Sequence, residues 1–146
     1  MCMAAITWLL TYETLNKVWN ILPRLNAPPR LRVMLIGIPI FASHIVNIWL
    51  YALAYFLLEN YGTLGRIAGE GRRYGMSYAS FEDCLYFSSA TYTSLGLGDF
   101  VPTDALRMLA SAEVLSGLLM IGWTISFTLL TMERFWRQPY ARKRKE

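Results

Sequence analysis

Charge is what this chain has least of. Only 16% of its 146 residues are charged, while 55% are hydrophobic; a soluble domain carries about a quarter charged residues. The deficit is concentrated. No Asp, Glu, Lys or Arg occurs from Val33 to Leu58 or from Val114 to Met132. Each run satisfies the roughly 20 apolar residues that a helix needs to cross a bilayer, which excludes an ordinary soluble domain. Histidine is almost missing too: His44 is the single one. That excludes a multi-histidine metal site and a Ser-His-Asp triad, and nothing else pairs a nucleophile with a base, so no enzyme is expected. The two cysteines, Cys2 and Cys84, fit no metal-ligand spacing and read as thiols without chemistry. No helix repeats Arg at every third position, so no voltage sensor is expected.

The charge that is present is placed with a bias. Lys17, Arg24, Arg30 and Arg32 precede the first apolar run, and Arg134, Arg137, Arg142, Lys143, Arg144 and Lys145 follow the second. The connection between the runs is mixed in sign. The positive-inside rule puts both basic flanks in the cytoplasm and the connection outside, giving a multi-pass protein of the cell membrane. Beside a membrane helix, a basic tail marks topology and contact with anionic lipid rather than with nucleic acid.

Along the chain, residues 1–30 hold an N-terminal helix and a Pro-rich linker. Ile6, Leu9, Leu10, Val18, Trp19 and Leu22 recur at helical spacing, broken by Glu13, Asn16 and Lys17. An interfacial amphipathic helix fits this better than an extra transmembrane helix, and a signal peptide is not expected, for want of a charged leading region and a cleavage site. An outer helix is expected over 31–58, with Pro39 as a potential kink. An exposed outer loop with five glycines covers 59–80. Ser80 and Asp83 then form a capping box for a helix over 81–93. Twelve or so residues are too few to cross a membrane and suit a re-entrant helix that stops halfway, its negative dipole end turned inward. Residues 94–99 follow, then an inner helix over 104–135, capped by Thr103 or Asp104, and a basic cytoplasmic tail over 136–146.

Between the short helix and the inner helix stands Thr91-Tyr92-Thr93-Ser94-Leu95-Gly96-Leu97-Gly98-Asp99. Glycine at alternate positions frees the backbone for dihedrals that side chains disfavour. A backbone so freed can turn successive carbonyls one way, and rings of carbonyls replace the hydration shell of a monovalent cation. With the flanking Phe100-Val101-Pro102, this stretch resembles the pore module of the potassium-channel superfamily in its two-transmembrane form. It is similar to small bacterial members and to the second pore loop of two-pore-domain potassium channels. The resemblance covers about residues 31–135. It implies an all-α membrane protein with two transmembrane helices flanking a re-entrant pore helix and selectivity filter. It also implies a homo-oligomeric, tetrameric pore, since one chain supplies one wall. No cofactor is implied; K+ is the permeant ion.

The same resemblance gives Ser94, Leu95, Gly96, Leu97 and Gly98 the role of filter, with K+ held at Ser94, Leu95, Gly96 and Leu97. It places Asp99 at the pore mouth. Two positions depart from the family's Thr-X-Gly-Tyr-Gly-Asp: Ser94 stands for Thr, and Leu97 for an aromatic that packs behind the filter. Leu cannot donate a hydrogen bond. Thr91, Tyr92 and Thr93 are expected to support the filter or simply to end the pore helix. Glu113, deep in the inner helix where a carboxylate is costly, is expected to brace the filter from behind through Thr91 or Tyr92. His44 and Asn47 are placed to bond across helices. Gly117 and Gly122 serve as a gating hinge or as small residues for close packing. A potassium-selective channel is the leading reading. A weakly selective cation channel, favoured by Leu97 and Ser94, and a non-conducting membrane interaction protein are the alternatives.

Overall fold

The two charge-poor runs become the two longest helices. In a computed structural model of the chain, residues 2–22, 28–62, 64–69 and 79–142 are described. The expected linker residues Pro23 and Arg24, the loop glycines Gly71 and Gly75, and the tail residues Lys143, Arg144 and Lys145 lie outside them. The element order is α1 (Cys2–Ile21), α2 (Pro29–Tyr61), β1 (Ile67–Gly69), α3 (Phe81–Tyr92), β2 (Phe100–Pro102) and α4 (Leu106–Arg142).

Helix α2 starts on a proline at its first position, where the missing N–H costs nothing. It continues through Pro39 and stops at Gly62, whose N–H bonds the Leu58 carbonyl. Within α2 and α4, Met34–Tyr61 and Leu106–Arg134 are long and apolar enough to cross a membrane. Helix α3, at 12 residues, is about 18 Å long and is not. Its start is the capping box read from the sequence: Asp83 N–H donates to Ser80 Oγ at 3.2 Å, and Ser80 N–H to Asp83 Oδ2 at 3.1 Å.

Helix α3 packs between α2 and α4 around Tyr51, Tyr55, Phe87, Tyr92, Leu106 and Ala110. A second cluster joins Leu15, Val18 and Leu22 of the N-terminal segment to Ile36 and Ile40 of α2, with Phe127 of α4 against it. Met3, at the other end of α1, packs on the first cluster. Helix α1 therefore runs lengthwise and antiparallel beside α2, touching α4 through Tyr12 on Trp123 and Trp19 on Phe127. The guanidinium of Arg134 sits 4.5 Å above the Trp19 ring.

Three sequence expectations need correction. The outer connection is not only loop: β1 pairs antiparallel with β2, Ile67 opposite Pro102 and Gly69 opposite Phe100. The Glu59 carboxylate fastens it further, accepting from the N–H groups of Ile67 and Ala79 at 3.1 Å each. Of the two expected caps of α4, Thr103 and Asp104, the Thr103 hydroxyl is engaged elsewhere: it accepts from Arg66 N–H and donates to the Arg66 carbonyl. Finally, α4 continues to Arg142, past the expected end at 135.

Candidate functional site

The segment after α3 has the backbone its glycines allow. Gly96 and Gly98 take φ of 53° and 82°, and Ser94 takes 59° despite its side chain. Left-handed dihedrals thus recur at 94, 96 and 98, every second residue, with Leu95 and Leu97 between them. A left-handed φ costs an L-residue about 1 kcal/mol or more, so Ser94 is held there by its surroundings. Its N–H bonds the Thr91 carbonyl at 3.0 Å, and the Leu95 N–H bonds the Ala90 carbonyl at 2.8 Å. These contacts fasten the turn to the last carbonyls of α3, the groups a helix end leaves unpaired. Thr93 contributes too, its hydroxyl donating to Ser89 carbonyl at 2.7 Å.

All of 93–99 is solvent-exposed in the single chain, with Leu95 63% and Leu97 59% exposed. A cavity of about 490 Å³ lies between this segment and α4, walled by Thr91, Ser94, Gly96, Gly98, Ser111 and Val114. Asp99, beside Tyr86 of α3, holds that phenol above its usual range. Tyr86 also meets Phe100 edge-on. On the outer side, strand β1 lies so close that a Cβ on Gly69 would strike the Asp99 carbonyl.

Behind α3 the polar groups are buried. Glu113 is fully buried, and its expected partners were Thr91 or Tyr92. It bonds neither. Ser88 Oγ is 2.5 Å from Oε1, and Tyr55 OH 2.6 Å from Oε2. Glu113 therefore ties α4 to the middle of α3 and to α2, one turn before the expected point. Tyr51 OH reaches Ser116 Oγ at 3.4 Å. Tyr92 turns away from the exposed segment into the helices: its hydroxyl lies 2.9 Å from His44 Nδ1 and 3.4 Å from Asn47 Nδ2. His44 and Asn47 do bond across helices. Thr91 is half-buried and lines the cavity.

Gly117 sits where α4 crosses the end of α3, and a Cβ there would run into the Tyr92 carbonyl. Close approach accounts for this glycine. Gly122 has open space around the Cβ position. The sequence reading missed Tyr55 and Ser88. Neither carries a motif, and only the depth of Glu113 signalled that partners had to exist.

A short helix halted between two long apolar ones, with alternating left-handed dihedrals at its C-terminal end, defines a pore-loop protein. The pattern of the ion channel family matches residues 43–134, and the chain belongs to that family of membrane proteins. Among similar proteins, "Two-pore potassium channel 1" of Arabidopsis thaliana is 33% identical over 90 residues, 61% of this chain and 25% of that protein. "Two pore potassium channel b" of Oryza sativa is 33% identical over 102 residues, 69% and 27% respectively. "Protein LctB" of Geobacillus stearothermophilus is 30% identical over 84 residues, 58% and 63%. The match thus spans about a quarter of the plant proteins. No solved structure matches.

Proposed function

We propose that four copies of this chain surround a common axis and pass K+ passively along the backbone of residues 94–98. The observation that carries the reading is the left-handed backbone at Ser94, Gly96 and Gly98, an alternation that allows successive carbonyls to be turned one way, as a ring of ligands for a monovalent cation needs. Exposed leucines at 95 and 97 and the adjoining cavity are surfaces for neighbouring copies to cover. Four Asp99 carboxylates at the mouth concentrate cations there, and the negative ends of four α3 dipoles face the ion. The related plant proteins are named as potassium channels, which supports K+ over other ions. The membrane is crossed by α2 and α4, with the basic segments before α2 and at the end of α4 in the cytoplasm and β1, β2 and Asp99 outside.

A weakly selective cation channel is the second reading, favoured by one residue. Leu97 occupies the place of the family's aromatic and has no donor with which to fix the filter wall. Ion flux from proteoliposomes under opposed K+ and Na+ gradients separates the two. The leading reading expects a reversal potential close to that of K+ and block by barium. Equal permeation of both ions supports the second reading, and no flux removes both.

A further inference from the structure

Tyr92 is 1% exposed and is the last residue of α3, two before Ser94. Its hydroxyl is a node between three other helices. Asn47 Nδ2 of α2 reaches it at 3.4 Å and reaches Thr11 Oγ1 of α1 at 3.0 Å. His44 Nδ1 of α2 lies 2.9 Å from it, and His44 Nε2 lies 3.1 Å from Thr124 Oγ1 of α4.

One arrangement of the protons satisfies His44, Tyr92, Thr11 and Thr124 together, with the imidazole tautomer assigned from its partners. Thr124 spends its hydroxyl proton on the Ile121 carbonyl, so it accepts from His44 Nε2–H. Nδ1 of a neutral imidazole is then an acceptor, and the Tyr92 O–H donates to it. The Tyr92 oxygen accepts in turn from Asn47. Thr11 donates to the Thr7 carbonyl and accepts from the same Asn47 amide. The chain of bonds runs in one sense, from Asn47 through Tyr92 and His44 to Thr124. Each removal of one member leaves a buried polar group unpaired.

The match to the ion channel family begins at residue 43, so α1 lies wholly outside it. Even so, Thr11 is bonded to the amide that bonds Tyr92, and Thr7 and Thr11 are both buried. We infer that Thr11, Asn47, His44 and Thr124 are positioning residues for the filter. They act through Tyr92, so that α1 sets the filter entrance from one side and α4 from the other. This rests on the conduction reading above.

The test is a double-mutant cycle in proteoliposomes, read as the ratio of K+ to Na+ permeability. Thr11→Val, Thr124→Val and Tyr92→Phe each remove one hydroxyl at nearly constant volume. Each is expected to shift the ratio by about threefold, the factor matching one interhelical hydrogen bond of average strength in a membrane. Thr11→Ser restores the hydroxyl and is expected to restore the ratio. In a Tyr92→Phe background the Thr11 and Thr124 substitutions are expected to add nothing, because their route to the filter is gone. Variants that lose thermal stability while the ratio stays at the wild-type value overturn the inference. So do shifts that add in full to that of Tyr92→Phe. A wild type that passes no ions overturns the conduction reading, whereas a conducting wild type with unmoved variants overturns this inference alone.

Discussion

Glu113 shows what a single buried acid demands of its neighbours. Ser88 has one hydroxyl proton and two oxygens in reach, the Ile48 carbonyl at 2.9 Å and Glu113 Oε1 at 2.5 Å. Both contacts are satisfied when Ser88 donates to the carbonyl and Glu113 itself carries the proton between the acid and Ser88. A side-chain amide reproduces that donor, so Glu113→Gln is expected to keep stability within ~1 kcal/mol of wild type. Glu113→Ala strands the Tyr55 hydroxyl and is expected to cost about 1–3 kcal/mol. Thermal unfolding of the purified protein compares the two, and a Gln variant as damaged as the Ala variant would show the acid to be needed as a charge. Glycines divide in the same way. Gly117→Ala drives a methyl into the Tyr92 carbonyl and is expected to destabilise by about 1–3 kcal/mol, as overpacking does. Gly122→Ala meets nothing and gains helix propensity, up to ~1 kcal/mol. Equal thermal midpoints for the two alanine variants would contradict the close crossing of α4 over α3.

Elements differed in how far their sequences announced them. The capping box of α3 was legible because it is local: Ser80 and Asp83 are three apart, and the reciprocal bonds require nothing else. Ser80→Ala is expected to lose about 1 kcal/mol, read as a lowered thermal midpoint, with Ser80→Asp retaining most of it; an unchanged Ala variant would mean that Glu59, through Ala79, fixes the helix start alone. Helix α1 was legible as a helix, and its inward face only in part. Of the apolar residues at helical spacing, Val18 and Leu22 are buried, but Ile6, Leu9 and Leu10 are exposed, and Thr7, Thr11 and Leu15 face the other helices. Apolar periodicity identifies an inward face only where the surroundings are water. Helices of membrane proteins also pack through small and hydroxyl residues, and a stripe of threonines looks polar to a reading tuned to soluble proteins. The β1–β2 pair was hidden for another reason. Two three-residue strands carry no periodicity, and their partners stand 31 residues apart or more in sequence, so only the closed loop reveals them.

For the whole molecule, the order of elements around residues 94–98 was readable because alternating glycine, a halted helix and flanking apolar runs constrain one another. The wall behind residues 94–98 was not, since Tyr55 and Ser88 reach Glu113, and His44 reaches Tyr92, only when α2, α3 and α4 are packed. What a single chain leaves uncovered bears on assembly. Leu95 and Leu97 are more than half exposed in the single chain, and a cavity of about 490 Å³ adjoins Ser94, Gly96 and Gly98. In the proposed assembly of four copies, neighbouring chains would cover those side chains and complete rings of carbonyls that no single copy has. On that proposal a K+-binding ring would form only in the assembled state, so K+ should stabilise the assembly by mass action, by about 2.7 kcal/mol at a concentration a hundredfold above its dissociation constant. Native mass spectrometry is expected to find four copies. Their dissociation temperature should rise in K+ relative to an equal concentration of Na+, with the rise reduced in Asp99→Asn, which removes the cation-concentrating charge at the mouth. A rise identical in both salts would move the filter to the weakly selective reading, and copies that stay single in either salt would remove the shared axis.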